Sequence, residues 1–329
     1  MAILVTGAAG FIGLHVSEAL LARGERVLGI DNLVPYYDPA LKEARLARLR
    51  DHPGFTFFPL DIAEEEAMNA WAETHGREVA AVVHLAAQAG VRYSLEQPMA
   101  YVRSNLVGHM VILELCRQRL PRCERLVYAS SSSVYGANRK MPFSVEDRVD
   151  HPVSLYAATK RADELLSESY ARLYDLPQTG LRFFTVYGPW GRPDMAYYSF
   201  AEAITEGRPV TLYNHGRMRR DFTYVDDVIA GVLAALDRLP EPRPDGVRHR
   251  IYNLGNNRPV ELEAFVRALE KALGRRAEIR YAEMQPGDVV ETFADIEASR
   301  RDLGYEPRIG IEEGLARFAA WFRRYRGGH

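Results

Sequence analysis

A tyrosine and a lysine four residues apart, Tyr156 and Lys160, are the pair in this sequence best suited to acid–base chemistry. Residues at this spacing share one face of a helix, so both side chains can reach the same substrate atom. A lysine ammonium beside a tyrosine favours the phenolate over the phenol. The pair therefore indicates a general base aimed at the proton of an alcohol.

A run of four serines, residues 130–133, precedes this pair by about 25 residues. Its hydroxyls, in particular those of Ser131 and Ser133, are suited to orienting an alcohol and the ketone formed from it. A tyrosine–lysine pair alone also occurs on ordinary surface helices. The interpretation therefore depends on the serines and on a glycine-rich turn near the start of the chain.

That turn contains Gly7, Gly10 and Gly13 in the spacing G-x-x-G-x-x-G. It follows a short apolar run, which predicts a buried strand, and it leads into a helical apolar pattern. Glycines in this context let the backbone approach a pyrophosphate, which then rests on the helix N-terminus. The turn therefore predicts a dinucleotide site.

A second apolar run, residues 27–30, ends at Asp31. A carboxylate at this position can accept hydrogen bonds from the ribose of an adenosine. Asn32 and Leu33 follow, with no arginine to bind a 2′-phosphate, which favours NAD over NADP.

Composition narrows the class of protein. The 329 residues are 47% hydrophobic and 26% charged, as in ordinary globular enzymes, and the net charge of −2 points to neither a nucleic acid nor an anionic membrane as partner. The most apolar stretch, residues 79–91, is too short to span a bilayer. Cys116 and Cys123 are expected to be unpaired thiols in a reducing cytoplasm, with no metal site. Because the first predicted strand begins at residue 3, we also expect no signal peptide.

Strand-like and helical patterns alternate through the first half, which predicts βαβ units in an α/β fold. We expect a Rossmann-type doubly wound parallel sheet with a smaller C-terminal α/β substrate-binding lobe. The predicted boundaries are 1–184 for the NAD-binding domain and 185–329 mainly for the second lobe, with segments near 221–237 and 250–255 returning to the first. Predicted strands are 3–6, 27–30, 56–59, 81–85, 125–129 and 179–184; predicted helices are 12–23, 39–50, 64–75, 99–118, 154–174, 260–273 and 311–324.

With these residues in view, the chain resembles the extended short-chain dehydrogenases/reductases of the nucleotide-sugar epimerase group, and UDP-glucuronate 4-epimerases most closely. The shared motifs are Gly7–Gly13, Asp31–Leu33, Asp61–Ile62, His84–Ala87, the serine run before Val134–Gly136, and Tyr156 with Lys160. The longer segments 84–92 and 182–196 resemble the hexuronate branch in particular.

The resemblance implies roles for individual residues. Tyr156 is the base, Lys160 holds the nicotinamide ribose, and Ser131 hydrogen-bonds the reacting hydroxyl, with Ser133 as a further candidate beside it. The implied NAD site comprises Gly7, Gly10, Phe11, Ile12, Gly13, Asp31, Asn32, Asp61, Ile62, Leu85, Ala86, Ala87, Ser104 and Phe184. For the UDP-sugar, the resemblance implies Arg220 as the diphosphate contact and Asp288 as the uridine ribose contact. Arg92, which could also be a surface charge, Thr185 and Arg192 are further candidates. The arginine usual a few residues before Asp288 is replaced, with Gln285 nearby.

The implied reaction is 4-epimerisation of a UDP-hexuronic acid, UDP-glucuronate to UDP-galacturonate, through a transient 4-keto sugar and enzyme-bound NADH. Related dehydratases and decarboxylases usually place an acid just before the Val134–Gly136 motif, where this chain has Ser132 and Ser133. We also hypothesise that Thr185 and Arg192 grip the sugar carboxylate and prevent loss of CO2.

Three alternatives stay open: a UDP-glucuronate decarboxylase, a neutral UDP-hexose 4-epimerase, and a non-catalytic NAD(H)-sensing module. Analogy with related proteins predicts a homodimer formed through the two helices near 99–118 and 154–174.

Overall fold

The structure is a computed structural model that describes residues 1–284 and 289–327. The described chain divides into two compact units. The first comprises residues 1–136, 148–182 and 229–252; the second comprises 137–147, 183–228 and the described residues from 253 onward. Asp288, predicted to bind the uridine ribose, lies outside the described residues.

Strands and helices alternate along the first unit. Its elements are β1 (Ala2–Thr6), α1 (Phe11–Ala22), β2 (Arg26–Ile30), α2 (Pro39–Arg50), β3 (Phe55–Phe58), α3 (Glu65–His75), β4 (Val79–His84), α4 (Tyr93–Glu96), α5 (Pro98–Tyr101), α6 (Gly108–Gln118), β5 (Leu126–Ser131), α7 (Leu155–Tyr174) and β6 (Gln178–Phe183).

The second unit holds shorter strands and the remaining helices. Its elements are β7 (Thr185–Tyr187), α8 (Ala196–Glu206), β8 (Val210–Leu212), β9 (Arg219–Arg220), β10 (Phe222–Tyr224), β12 (Val260–Glu261), α10 (Leu262–Leu273), β13 (Ile279–Tyr281), α11 (Glu297–Leu303) and α12 (Ile311–Gly327). Two further elements, α9 (Val225–Asp237) and β11 (His249–Leu254), cross the boundary between the units along the chain.

Within the described residues, seven strands form one sheet in the order β11-β6-β5-β4-β1-β2-β3. Strand β1 lies inside the sheet between β4 and β2, parallel to both, and all five of its residues are buried. A parallel strand covered by helices on both faces needs apolar residues throughout, which explains the continuous run at the start of the chain. The strand order reverses between β1 and β4, as in Rossmann folds. The predicted fold class is confirmed.

The helix predicted over residues 99–118 is wrong in one respect. Helix α5 ends at Tyr101, a single π-helical segment covers Val102–Val107, and α6 begins at Gly108. The wider turn shifts the register of the side chains without breaking the run of helical residues. Such π segments often lie at functional sites, and this one carries Ser104.

Aromatic packing stabilises the second unit. The rings of Phe222 in β10 and Phe265 in α10 stack with centroids 4.4 Å apart, and both are buried.

The helix predicted from Val260 begins instead at Leu262, because Val260 and Glu261 pair antiparallel with β9. None of the helices in the described part of the chain combines the length and the apolar character needed to cross a membrane.

Candidate active site

The glycine-rich turn ties the ends of the adjacent strands β1 and β2 together. The backbone N–H groups of Gly7 and Ala8 both donate to the carbonyl of Ile30, at 2.7 and 3.2 Å. A Cβ on Gly13 would lie 2.0 Å from the carbonyl oxygen of Gly7. Only glycine fits there, because the first turn of α1 crosses directly over the end of β1.

This turn leaves the N-terminus of α1 accessible to an anion. Gly10 caps the helix and has no side chain to satisfy the first-turn N–H groups, and the first turn contains no acidic residue. The Asp31 carboxylate accepts hydrogen bonds from Ala9 N at 3.1 Å and Leu33 N at 2.8 Å, which fixes it beside the turn. The donors and the carboxylate fit the pyrophosphate and the ribose of a dinucleotide.

The segment after β4 approaches the same turn. Leu85 N donates to Thr6 O at 3.1 Å, and Ala86 N donates to the Thr6 hydroxyl at 3.2 Å. A Cβ on Gly7, whose φ is +74°, would lie 2.8 Å from Ala86 N. Because Gly7 has no side chain, the backbone of Leu85 and Ala86 can lie directly against the glycine turn, and Ala87 follows them along the chain.

Asp61 and Ile62 follow β3 at the same end of the sheet. One Asp61 oxygen accepts Ala63 N at 2.9 Å, so this carboxylate closes a local turn before α3 whatever else it binds. The Ile62 side chain is buried, and a Cβ on Gly108 would lie 2.6 Å from it. Ser104, in the π segment, is half-buried.

Helix α7 presents the predicted base and its lysine. Ser154 caps the helix by accepting Ala157 N at 3.1 Å, which starts α7 immediately before Tyr156. Tyr156 is half-buried, whereas Lys160 is only 4% exposed. The Lys160 ammonium donates to the carbonyl of Ala129 in β5 at 3.0 Å, so it is held against the strand that leads to the serines.

The serine run starts at the end of β5. Ala129 and Ser131 alternate with Ser130 along the strand, so Ser131 is on the same side as Ala129. Ser131 Oγ donates to Ser133 Oγ at 3.1 Å, and Ser131 Oγ accepts Ser133 N at 3.2 Å. The predicted residues Ser131, Ser133 and Lys160 are thus brought together around the end of one strand.

Ser130 points the other way and serves a different network. Its hydroxyl donates to Glu164 at 2.7 Å, and Arg182 grips the same carboxylate through two bonds of 2.8 and 2.9 Å. Burial alone would raise the pKa of Glu164, but the Arg182 guanidinium outweighs it and leaves this pKa below its ordinary value. This buried ion pair fixes α7 to β6.

Sequence reasoning missed Asn105. Its amide donates to the Thr159 hydroxyl at 2.9 Å and to the Gln88 carbonyl at 3.1 Å, and it accepts Gln88 N at 2.8 Å. It therefore links the segment after β4 to the helix turn between Tyr156 and Lys160. The only signal in the sequence was an amide within a run that is otherwise helical and largely apolar.

In the second unit, Phe184 and Thr185 are fixed through their backbone. Phe184 N donates to Leu254 O at 3.1 Å, and Thr185 N donates to Asp221 O at 3.2 Å. The buried Asp221 carboxylate accepts backbone N–H groups from Asn256, Asn257 and Ala294. Burial raises the pKa of Asp221 despite these donors.

The two predicted arginines of this unit have protein partners. Arg192 forms a two-point contact with Asp194, at 3.0 and 2.5 Å. Arg220 donates to the carbonyls of Arg219 and Val290, at 3.0 and 3.1 Å. In the first unit, Arg92 is exposed at the start of α4.

A cavity of about 670 Å³ lies next to β9 in the second unit. Its charged lining combines Arg217 and Arg219 with Glu261, Glu263 and Glu291. Arg219 pairs with Glu291 at 3.0 Å. Carboxylates on the cavity side therefore balance the positive charge of Arg217 and Arg219. No group of three or more His, Cys, Asp or Glu side chains in the described residues is placed to hold a metal ion.

Comparison with known proteins gives consistent matches. Residues 3–255 match the model of the NAD dependent epimerase/dehydratase family. A probable UDP-glucuronate 4-epimerase from Rhizobium meliloti is 47% identical, over 100% of this chain and 99% of the relative. A solved UDP-glucuronic acid 4-epimerase from Bacillus cereus, in complex with UDP-glucuronic acid and NAD, is 33% identical with a TM-score of 0.89, over 99% of this chain and 100% of that one. A UDP-glucose 4-epimerase from Thermotoga maritima with UDP-glucose is 31% identical with a TM-score of 0.88, again over 99% and 100%.

Proposed function

This chain belongs to the NAD dependent epimerase/dehydratase family, and we propose that it is an NAD-dependent isomerase that interconverts UDP-glucuronate and UDP-galacturonate by inverting C4. The observation that carries the proposal is the Tyr156–Lys160 helix face, with Lys160 held to the strand that ends at Ser131. The first unit also holds the glycine turn and Asp31, which fit a dinucleotide.

In this proposal, Tyr156 removes the proton from O4 of the sugar and later returns it. The Lys160 ammonium stabilises the phenolate by charge, while Ser131 and Ser133 orient the hydroxyl and then the ketone. NAD, when bound, would supply the hydride acceptor and donor for C4, so that inversion would involve no net oxidation.

The cofactor is held by backbone donors rather than by long side chains. The turn at Gly7, Gly10 and Gly13 receives the pyrophosphate, and Asp31 receives the adenosine ribose. The other residues proposed to line the site are Phe11, Ile12, Asn32, Asp61, Ile62, Leu85, Ala86, Ala87, Ser104 and Phe184.

The UDP-sugar is assigned to Arg92, Thr185, Arg192, Arg220 and Asp288. Arg220 is the proposed diphosphate contact, and Thr185 with Arg192 is the proposed grip on the sugar carboxylate. Asp194 holds the Arg192 guanidinium in a fixed plane, which suits two-point binding of a second carboxylate by the remaining N–H groups.

Epimerisation is favoured over decarboxylation because residues 132 and 133 are serines. Removing the C5 proton, or returning a proton to C5 after loss of CO2, calls for a further acid or base near C5, and Ser132 and Ser133 supply no carboxylate. The relative from R. meliloti, at 47% identity over the whole chain, is a probable UDP-glucuronate 4-epimerase, which favours a hexuronate over a neutral hexose.

We also propose that the enzyme is a homodimer in the cytoplasm. Met99 and Val107 are exposed around α5 and the π segment, and Leu165 and Leu173 are exposed on α7. A contiguous exposed apolar patch commonly marks an association surface, and the proposed dimer would use these side chains for one. Cys116 and Cys123 are free thiols, as expected in a reducing compartment. Sedimentation of Leu165→Glu beside the parent protein tests the dimer: an unchanged mass would contradict this interface.

The proposed function is tested by incubating the purified protein with UDP-glucuronate, UDP-galacturonate and UDP-glucose in turn and following the products by NMR. We expect the two uronates to reach the same equilibrium mixture from either side. Turnover of UDP-glucose alone indicates a neutral hexose epimerase, a UDP-pentose product indicates a decarboxylase, and no turnover of the NAD-loaded protein indicates a sensing module.

A further inference from the structure

Asp163 is the second protein partner of the Lys160 ammonium. It lies three residues later on α7, and its Oδ2 is 3.1 Å from Lys160 Nζ. The side chains are 5% and 1% exposed, so the pair is buried and poorly screened by solvent. Lys160 therefore sits between the Ala129 carbonyl and a carboxylate.

Other ionisable groups surround this pair, on its own helix and on the elements packed against it. They are Glu164 on α7, Arg182 on β6, His84 on β4, His109 on α6 and Tyr128 on β5. Glu164 is neutralised by its two-point contact with Arg182.

The two histidines do not offer Asp163 a positive charge. Burial lowers the pKa of His84 to about 3 and that of His109 well below its usual value, so both rings are neutral near pH 7. The Tyr128 phenol is also neutral, because burial raises its pKa well above the ordinary range. Lys160 is thus the cation that Asp163 faces.

The carboxylate of Asp163 is incompletely satisfied. Its Oδ1 has no hydrogen-bond partner among the described residues. Burial raises the pKa of Asp163 to about 6, although the Lys160 ammonium opposes that rise. Asp163 therefore gains or loses its charge close to neutral pH, next to the lysine assigned to the base.

We propose that Asp163 is a positioning residue that holds the Lys160 ammonium in place and, through its own negative charge, limits how strongly that ammonium favours the Tyr156 phenolate. The inference rests on the proposed function, since it assigns the base to Tyr156. Ionised Asp163 offsets part of the lysine charge; protonated Asp163 leaves that charge free to act on the phenol.

Two substitutions separate the anchor from the charge. Asp163→Asn keeps an oxygen that can accept from Lys160 but removes the charge, so we expect the rise of kcat with pH to occur about one pH unit lower. Asp163→Ala removes both, and kcat should fall about tenfold with little change in KM, because the ammonium loses a charged partner.

The matched control is Asp175→Asn, the same substitution at the far end of α7. Asp175 pairs with Arg248 at the surface and has a φ of +50°, a conformation that asparagine also adopts. Its pH profile should overlay that of the parent protein. A purely structural role for Asp163 would lower stability in both Asp163 variants without moving the pH profile of Asp163→Asn.

A second measurement does not depend on turnover. In the folded protein the pKa of Asp163 is raised from 3.8 to about 6. Its protonation therefore adds most to the free energy of unfolding at low pH, and this contribution is lost as pH rises to about 6. The Tm of the parent protein should therefore fall relative to Asp163→Asn between about pH 4 and pH 6. Parallel Tm curves, or an Asp163→Asn pH–rate profile that overlays the parent profile, would overturn the inference. Failure of the parent protein to epimerise, with the Tm difference present, would count against the proposed function alone.

Discussion

The ring of Tyr101 packs edge-on against the ring of Tyr156, with centroids 6.0 Å apart and 73° between the planes. Tyr101 is fully buried, and its hydroxyl reaches the carbonyls of Ala89, at 2.9 Å, and Gly90. The segment after β4 therefore fixes Tyr101, and Tyr101 supports one edge of the proposed base. The aromatic contact connects the segment after β4 to the residue proposed as the base.

Tyr101→Ala should lower kcat about 100-fold, because the Tyr156 ring loses the support that fixes its position. Tyr101→Phe keeps the ring contact and loses only the hydroxyl, so its kcat should stay within about tenfold of the parent value. Steady-state kinetics on both variants test this. Equal rates for Tyr101→Ala and the parent protein would show that the contact does not position the base.

Gly13→Ala should abolish retention of NAD. The added methyl would meet the Gly7 carbonyl at 2.0 Å, so the turn must open, at a cost of about 1–3 kcal/mol in unfolding free energy. The amount of nucleotide released from the purified protein by acid measures the effect. Gly310→Ala is the control, since a Cβ there meets no atom of the described residues within 4 Å. Unchanged NAD content in Gly13→Ala would contradict the assignment of the turn.

Acid should destabilise the first unit through His84. Burial, assisted by the nearby Lys160 charge, lowers the pKa of His84 to about 3. Between about pH 6.5 and pH 3, His84 therefore stays neutral in the folded protein, whereas the same histidine in the unfolded chain takes up a proton. Stability linked to His84 is therefore present above about pH 6.5 and is lost as pH falls towards 3, by up to about 4 kcal/mol.

The measurement is the free energy of unfolding in urea at pH 7 and pH 4, for the parent protein and His84→Asn. The variant starts from a lower value at pH 7 because the bond to the Thr6 hydroxyl at 2.7 Å is altered. Its loss between the two pH values should be smaller than that of the parent. Equal losses would show that His84 does not carry the acid sensitivity.

Replacing the residues proposed to bind the sugar carboxylate should change both the KM for UDP-glucuronate and the products released. Arg192→Ala is expected to raise KM for UDP-glucuronate about tenfold or more and to increase released UDP-pentose, with a smaller effect for Thr185→Ala. Arg208→Ala, which removes an exposed arginine paired with Glu206, is the control. If neither KM nor the by-product ratio changes in the first two variants, the carboxylate is held elsewhere.

Much of the first unit could be predicted from the sequence, because parallel strands and the helices between them have distinct apolar periods. The helix over residues 39–50 has the predicted bounds. With the exception of the helix predicted over residues 99–118, the bounds of the other predicted strands and helices up to Phe183 agree with the structure to within about two residues. The π segment could not be predicted. One extra residue in a helical turn hardly changes an apolar repeat, yet it shifts Ser104 and Asn105 relative to α6.

The buried charges were missed for a different reason. Asp163 and Glu164 stand in a run of polar residues on α7 that is typical of a solvated helix face, but both are about 1% exposed. Glu164 is buried together with Arg182 and Ser130, which are distant from it in sequence and adjacent only once the sheet is formed. Asp163 is buried beside Lys160, whose ammonium is held by the equally distant Ala129 carbonyl. Helix α8 was also not predicted, since its three aromatic residues give no clear helical signal.

The most direct test of the account replaces Tyr156 with phenylalanine and follows UDP-glucuronate by NMR with NAD present. The variant keeps the ring that packs against Tyr101 but has no proton acceptor for O4. We expect binding of the UDP-sugar to persist and formation of UDP-galacturonate to fall by about 1,000-fold or more relative to the parent protein. Inversion at the parent rate in Tyr156→Phe would contradict the central claim.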